Sequence, residues 1–126
     1  MWYNFKLKKR KKMVKRTILI VDDEPTQCKI LGKFVGNMGH NYLVMNSGME
    51  VVDFFMNKKV INGLSAYDID VMLLDVSMPD IDGLTVLKQI NSIKGDLQVI
   101  VLTANKDVSR AVTAINLGAI DYIVKG

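Results

Sequence analysis

Thr-Ile-Leu-Ile-Val-Asp-Asp-Glu-Pro, residues 17–25, is the stretch on which the fold turns. Five β-branched or aliphatic residues in unbroken succession form a strand buried on both faces rather than one with a wet side. The run stops at three consecutive acids, and Pro25 then suits the first turn of a helix, where a missing N–H costs nothing. The same grammar returns downstream: Val71 to Leu74 ends on Asp75, Val99 to Leu102 ends on Thr103, and Tyr122 to Val124 ends on Lys125. Apolar strands that alternate with helical stretches imply βαβ units, right-handed crossovers and a parallel sheet covered on both faces. In open sheets of this class, ligands sit beyond the carboxyl ends of the strands, so Asp22, Asp23, Asp75, Thr103 and Lys125 are candidate site residues.

Between these strands the pattern predicts helix one over about Pro25 to Met38, with Gln27, Leu31, Phe34, Val35 and Met38 on one face until Gly39. Tyr42 to Met45 reads as the second strand. Gly48 to about Asn57 reads as helix two, with Met49, Val52, Phe55 and Met56 inward. Lys58 to Asp68 has no sustained period and holds the turn dipeptide Asn62-Gly63, so it is a long connection with room for one extra helical turn. Helix three is expected from Asp82, its N-cap, to Ile93, and helix four from Asp107 to Leu117, closed by Gly118. No 20 to 50 residue repeat is visible.

The chain has 126 residues, 49% of them hydrophobic, which is one domain with one core. A single cysteine, Cys28, precludes an internal disulfide, and with the lone His40 it falls short of a structural zinc site. No stretch reaches the ~20 apolar residues of a membrane-spanning helix, and no apolar core of a secretory signal is present. These features point to the cytoplasm. The net charge of +4 hides a segregation. Lys6, Lys8, Lys9, Arg10, Lys11, Lys12, Lys15 and Arg16 lie together without an acid, and removing them leaves nine basic against thirteen acidic residues. Residues 1–15 are therefore expected to be a disordered basic arm and 16–126 the folded domain; a start at Met13 would make the first twelve residues an upstream extension. Nucleic acid is not the expected partner.

Carboxylates brought together repel one another and recruit a hard cation; an oxygen site with few protein ligands and room for water suits Mg2+. A carboxylate can also attack phosphorus, provided that metal and cation neutralise the transferring group. Lys125 would supply that cation and Thr103 a hydroxyl donor.

Four ordered motifs carry a resemblance to a known family: Ile-Leu-Ile-Val-Asp-Asp-Glu-Pro at 18–25, Leu-Leu-Asp-Val-Ser-Met-Pro-Asp-Ile-Asp-Gly at 73–83, Val-Leu-Thr-Ala at 101–104, and Gly-Ala-Ile-Asp-Tyr-Ile-Val-Lys at 118–125. Together they resemble the receiver domain of the response regulators of two-component signalling. The resemblance implies a flavodoxin-like, doubly wound, five-stranded parallel sheet of order 2-1-3-4-5. It implies that Asp75 is the phosphoacceptor, that Asp22, Asp23, Asp75 and the Ser77 backbone carbonyl hold Mg2+, and that Thr103, Ala104 and Lys125 serve the phosphoryl group. Tyr122 becomes the aromatic that changes rotamer with Thr103. The domain would be a regulatory phosphoacceptor that promotes its own phosphotransfer and slow autodephosphorylation. Its donor would be a sensor histidine kinase or phosphotransfer protein, and its output a downstream protein target.

Two departures from the family pattern stand out. Gly126 occupies the position after the lysine, where a proline is usual, and the sequence stops where a fifth helix would begin. The expectation is then a C-terminally truncated domain with one sheet face covered by helix one alone, prone to self-association. Two other readings compete. Asp80-Ile81-Asp82-Gly83 resembles the Asp-x-Asp motif of haloacid-dehalogenase-type phosphatases, but that motif belongs at a strand end and here follows Pro79. A receiver-like interaction module without phosphorylation is the second; intact Asp75, Thr103 and Lys125 count against it.

Overall fold

A computed structural model describes residues 14–104 and 108–125. Five strands, β1 (Thr17–Val21), β2 (Asn41–Met45), β3 (Val71–Asp75), β4 (Gln98–Thr103) and β5 (Asp121–Val124), alternate with helices α1 (Pro25–Asn37), α2 (Gly48–Met56), α3 (Gly83–Ile93) and α4 (Val108–Asn116). A 3-10 turn at Ala66–Asp68 supplies the extra helical turn expected in the long connection. All pairings are parallel and the order is β2-β1-β3-β4-β5, the flavodoxin-like arrangement.

Register explains why β1 has no polar alternation. It pairs with β2 on one side and β3 on the other, so all five of its residues are buried. Leu19 and Val21 face the larger core, shared with Met72, Leu74, Val99 and Val101 and roofed by α2, α3 and α4. Ile18 and Ile20 face a smaller core with Leu73 and Leu102, where α1 contributes Cys28, Leu31 and Val35. The two edge strands are the wetter ones.

Both inward helix faces differ from expectation. In α1 the buried residues are Cys28, Gly32 and Val35, whereas Phe34 and Met38 are exposed. In α2 the buried residues are Gly48, Val51, Phe54 and Phe55, with Met49 and Met56 outside. Phe54 and Phe55 are adjacent yet both buried in the larger core, and their rings meet edge to face, with centroids 5.3 Å apart and planes at 89°. The strands run slightly longer than their apolar runs: β3 includes Asp75, β4 runs from Gln98 through Thr103, and β5 begins at Asp121. Of the expected basic arm only Val14 and Lys15 are described, both exposed and outside any strand or helix. The rest of it, Asp107 at the expected start of α4, and Gly126 lie outside the described residues.

The start of α2 shows how the loop after β3 is tied down. Ser47 caps the helix by accepting from the Glu50 N–H, and the Asp80 carboxylate reaches across to accept from Gly48 N at 3.2 Å and Met49 N at 3.0 Å. Three otherwise unpartnered N–H groups are satisfied in this way. Burial by itself raises the Asp80 pKa, but the backbone donors together outweigh it and hold the carboxyl below its ordinary 3.8. A depressed carboxylate contributes stability above its unfolded pKa and loses it as pH falls through the folded value. Asp80→Ala should therefore cost about 1 kcal/mol at neutral pH, and the difference in melting temperature from the wild type should close in strong acid. A gap that is constant from pH 7 to pH 2 would contradict the cap.

Candidate functional site

The C-terminal ends of β1, β3, β4 and β5 meet at one pole, as the strand-end residues foretold. Asp22 and Asp75 are buried there, at 0% and 2% exposure, and carboxylate oxygens of Asp22, Asp23 and Asp75 all lie within 4.8 Å of one another. Backbone ties set each of them. The Asp22 N–H extends the β1–β2 ladder to the Met45 carbonyl at 3.1 Å, and the Asp22 carbonyl accepts from Asn46 Nδ2 at 3.0 Å. Its Oδ1 accepts from the Glu24 N–H at 3.0 Å, an Asx turn that bends the chain from strand into α1. Asp75 Oδ1 accepts from the Ser77 N–H at 2.8 Å in the same manner.

Lys125 arrives from the far edge of the sheet. Its N–H continues the β4–β5 ladder to the Thr103 carbonyl at 2.7 Å, and its ammonium stands 2.9 Å from Asp22 Oδ2, 3.1 Å from Asp75 Oδ2 and 3.5 Å from Glu24 Oε1. Burial by itself lowers a lysine pKa, but here the close carboxylates of Asp22 and Asp75 raise it, so the ammonium stays protonated. Burial raises the pKa of Asp22 and of Asp23, and the Asp75 charge pushes both in the same direction.

Four carboxylates, those of Asp22, Asp23, Glu24 and Asp75, gather at one ammonium, and the charge is not balanced. The contact between Lys125 and Asp22 Oδ2 is close but poorly aligned, which leaves this buried oxygen without a hydrogen bond. An orphaned buried carboxylate oxygen beside two more carboxylates fits a hard divalent cation. The cluster opens into a cavity of about 380 Å³ lined also by Gln27, Ser77 and Ala104.

Thr103 is fully buried, and its hydroxyl donates to the Ala104 carbonyl at 3.2 Å. Tyr122 pairs with Val101 and Val124 with Thr103, so Tyr122 and Thr103 sit on the same sheet face two positions apart; the tyrosine is partly exposed. His40 lies at the opposite pole, just before β2, where its Nδ1 accepts from the Arg16 N–H. Asp82 caps α3 through the Leu84 N–H and forms an ion pair with Arg110 of α4, so this acid belongs to helix packing. Glu24 and Gln27 are site residues that strand-end reasoning missed; Glu24 was visible within the Asp-Asp-Glu-Pro run, whereas Gln27 had been placed on the inward face of α1.

Acids gathered beyond the strand ends of a 2-1-3-4-5 parallel sheet define a flavodoxin-like domain with an acidic pole. The chain belongs to the response regulator receiver domain family, whose model matches residues 18–126. The transcriptional regulatory protein ZraR of Escherichia coli K12 is 32% identical over 108 residues, which are 86% of this chain and 22% of that protein. The chain thus spans about a fifth of that relative's length. Among solved structures, a response regulator receiver domain protein from Clostridium thermocellum is 29% identical with a TM-score of 0.76, covering 87% of this chain and 82% of that one. The response regulator TrrA from Thermotoga maritima, solved in complex with Mg2+ and BeF, is 30% identical with a TM-score of 0.71, covering 88% and 87%. No helix among the described residues is long and apolar enough to cross a membrane.

Proposed function

We propose that this receiver domain works as a phosphorylation-dependent switch with Asp75 as its phosphoacceptor. The observation that carries the reading is the placement of one buried carboxylate, Asp75, between two further acids and the Lys125 ammonium. A carboxylate oxygen of Asp75 attacks the phosphorus of a phosphohistidine on a sensor histidine kinase or phosphotransfer protein. The P–N bond breaks, and its electron pair leaves with the donor imidazole. Lys125 offsets the charge gathering on the phosphoryl oxygens, and Thr103 and the Ala104 backbone line the side on which those oxygens come to rest. Asp22, Asp23, Asp75 and the Ser77 carbonyl would hold Mg2+, which when bound supplies charge neutralisation at the transferring group. His40, at the far pole, takes no part, so the donor histidine belongs to another protein.

Residues 16–126 act as the functional unit, regulatory rather than catalytic, promoting its own phosphotransfer and a slow autodephosphorylation. The domain works in the cytoplasm, where the lone buried thiol of Cys28 stays reduced. Among the described elements α1 alone overlies the face carrying the exposed Val44 and Ile123, and self-association through it is open to sedimentation at graded concentrations.

Incubation with acetyl phosphate and Mg2+ should raise the intact mass by one phosphoryl group, and the increase should vanish when the metal is chelated. Mg2+ alone should raise the melting temperature of the wild type but not of Asp23→Asn, by mass action on the native state. Uptake without metal, or a thermal shift indifferent to Asp23, would reject the assignment.

Phosphorylation should draw Thr103 toward Asp75, and the space it leaves should let Tyr122 turn inward. Tyr122 ring resonances should therefore move on phosphorylation in the wild type and stay put in Thr103→Ala. Identical shifts in both would break the link between the two residues.

A further inference from the structure

The first turn of α1 carries a glutamine released from the task that its position suggests. Glu24 is the N-cap and Pro25 the first helical residue, so Gln27 stands third in the helix. A glutamine there commonly reaches back to the N-cap N–H and closes the helix end. Here that N–H already donates to Asp22 Oδ1 at 3.0 Å, in the Asx turn that leads from β1 into α1. The Gln27 side chain is partly buried, and its carboxamide makes no hydrogen bond to another described residue. It lines the cavity over Asp75 instead.

Among the side chains around that cavity, Asp23, Glu24 and Asp75 only accept hydrogen bonds when ionised and Lys125 only donates them, while Ser77 is already partnered. Gln27 is neutral and does both. Once Asp75 carries a phosphoryl group, the added phosphorus and three oxygens fill only part of about 380 Å³, since liquid water takes about 30 Å³ per molecule. Water therefore shares the cavity with the phosphoryl group. Asp75 is 2% exposed and forms the floor, so a water in line with its bond to phosphorus approaches from the cavity side. A carboxylate holding that water would face an anionic group. A carboxamide accepts from the water without this repulsion and donates to a phosphoryl oxygen as well, and glutamine orients attacking water in phosphoryl-transfer sites of other folds.

We propose that Gln27 is a positioning residue for hydrolysis of the aspartyl phosphate and so sets how long the switch stays on. The inference rests on Asp75 as the phosphoacceptor. The Gln27 side-chain oxygen accepts from the attacking water. The water oxygen bonds to phosphorus, the bond from phosphorus to the Asp75 oxygen breaks, and its electron pair returns to the carboxylate. Both protons of the water leave with inorganic phosphate. Transfer from a phosphohistidine uses no water, so Gln27 bears on loss of the phosphoryl group more than on its gain.

The test phosphorylates the full 126-residue chain with acetyl phosphate and Mg2+, removes the donor by rapid desalting and follows intact mass, which yields an uptake rate and a hydrolysis rate for each variant. Gln27→Met keeps the length of the side chain and removes its carboxamide. It should lower the ratio of hydrolysis to uptake about fivefold, and Gln27→Ala should do the same. Melting temperatures of both should stay within about 3 °C of the wild type, because no hydrogen bond within the fold is lost. An unchanged or higher ratio in either variant overturns the inference. It is equally overturned if uptake and hydrolysis fall in proportion together with the melting temperature, since Gln27 would then shape the site rather than hold water in it. A wild-type chain that takes up no phosphoryl group would reject the phosphoacceptor reading and the inference with it, whereas uptake with an unchanged ratio rejects the inference alone.

Discussion

Asp75→Ala should abolish phosphoryl uptake from acetyl phosphate altogether while leaving the domain folded and no less heat-stable than the wild type. Loss of uptake follows from the placement of its carboxylate, the one with Oδ1 fixed by the Ser77 N–H and Oδ2 held 3.1 Å from Lys125. Preserved stability follows from the charge. Asp22, Asp23 and Asp75 crowd a single ammonium, and removing one acid relieves repulsion that burial makes expensive. Active sites commonly hold such destabilising arrangements, and alanine at them is often neutral or stabilising. Intact mass and a thermal melt on one sample check both halves. Uptake equal to the wild type would mean that another carboxylate is the acceptor, and a collapse in melting temperature would mean that Asp75 holds the fold together.

Gly83→Ala should do the reverse and strike the fold. A methyl group built at Gly83 would stand 2.5 Å from Val76 Cα and 2.6 Å from the Asp75 carbonyl oxygen, and both obstacles are backbone that cannot rotate aside. The first residue of α3 touches the main chain leaving β3, and only a hydrogen fits between them. Separating the two should cost about 3 kcal/mol or more, a fall of roughly 10 °C in a domain of this size. It should also slow phosphoryl uptake, because the displaced segment carries Asp75. A melting temperature within a degree or two of the wild type would show that the contact is loose.

The strands were legible because a sheet covered on both faces writes continuous apolar runs, and Thr17 to Val21 and Val71 to Leu74 are such runs. The site was legible for a related reason, since each run halts on the polar residue that the sheet delivers to its C-terminal pole. Strand order came from family resemblance, as no local pattern states which strands are neighbours. The inward helix faces were misread for opposite reasons. In α2 nearly every position is apolar, so Met49 and Met56 fit a helical stripe as well as Val51 and Phe54 do, and only the neighbouring elements decide. In α1 the buried face is made of small residues: a methyl group on Gly32 would stand 2.7 Å from the Tyr42 ring, so the bulk that fills this space comes from β2. A reading that seeks large apolar residues chooses Phe34 instead, which is exposed. The tie from Asp80 to the start of α2 joins residues 32 and 31 positions apart, out of reach of any local rule.

The position of Lys125 in the chain bears on how the molecule is built on the ribosome. Its ammonium reaches back across 101 residues to Glu24, and to Asp22 beside it, so the first strand acquires its counter-ion only after β2, β3, β4 and β5 have been synthesised in that order. Chains emerge at about 5–20 residues per second, and a domain generally folds as a unit. For several seconds the nascent chain therefore carries these carboxylates with no Lys125 to oppose them, and burying Asp22 is unfavourable throughout that interval. Docking of β5 ends this, because the ladder bond from the Lys125 N–H to Thr103 forms in the same motion that delivers the ammonium. The acidic pole therefore gains this counter-ion only when β5 docks, and until then the charge of its own carboxylates opposes its closure.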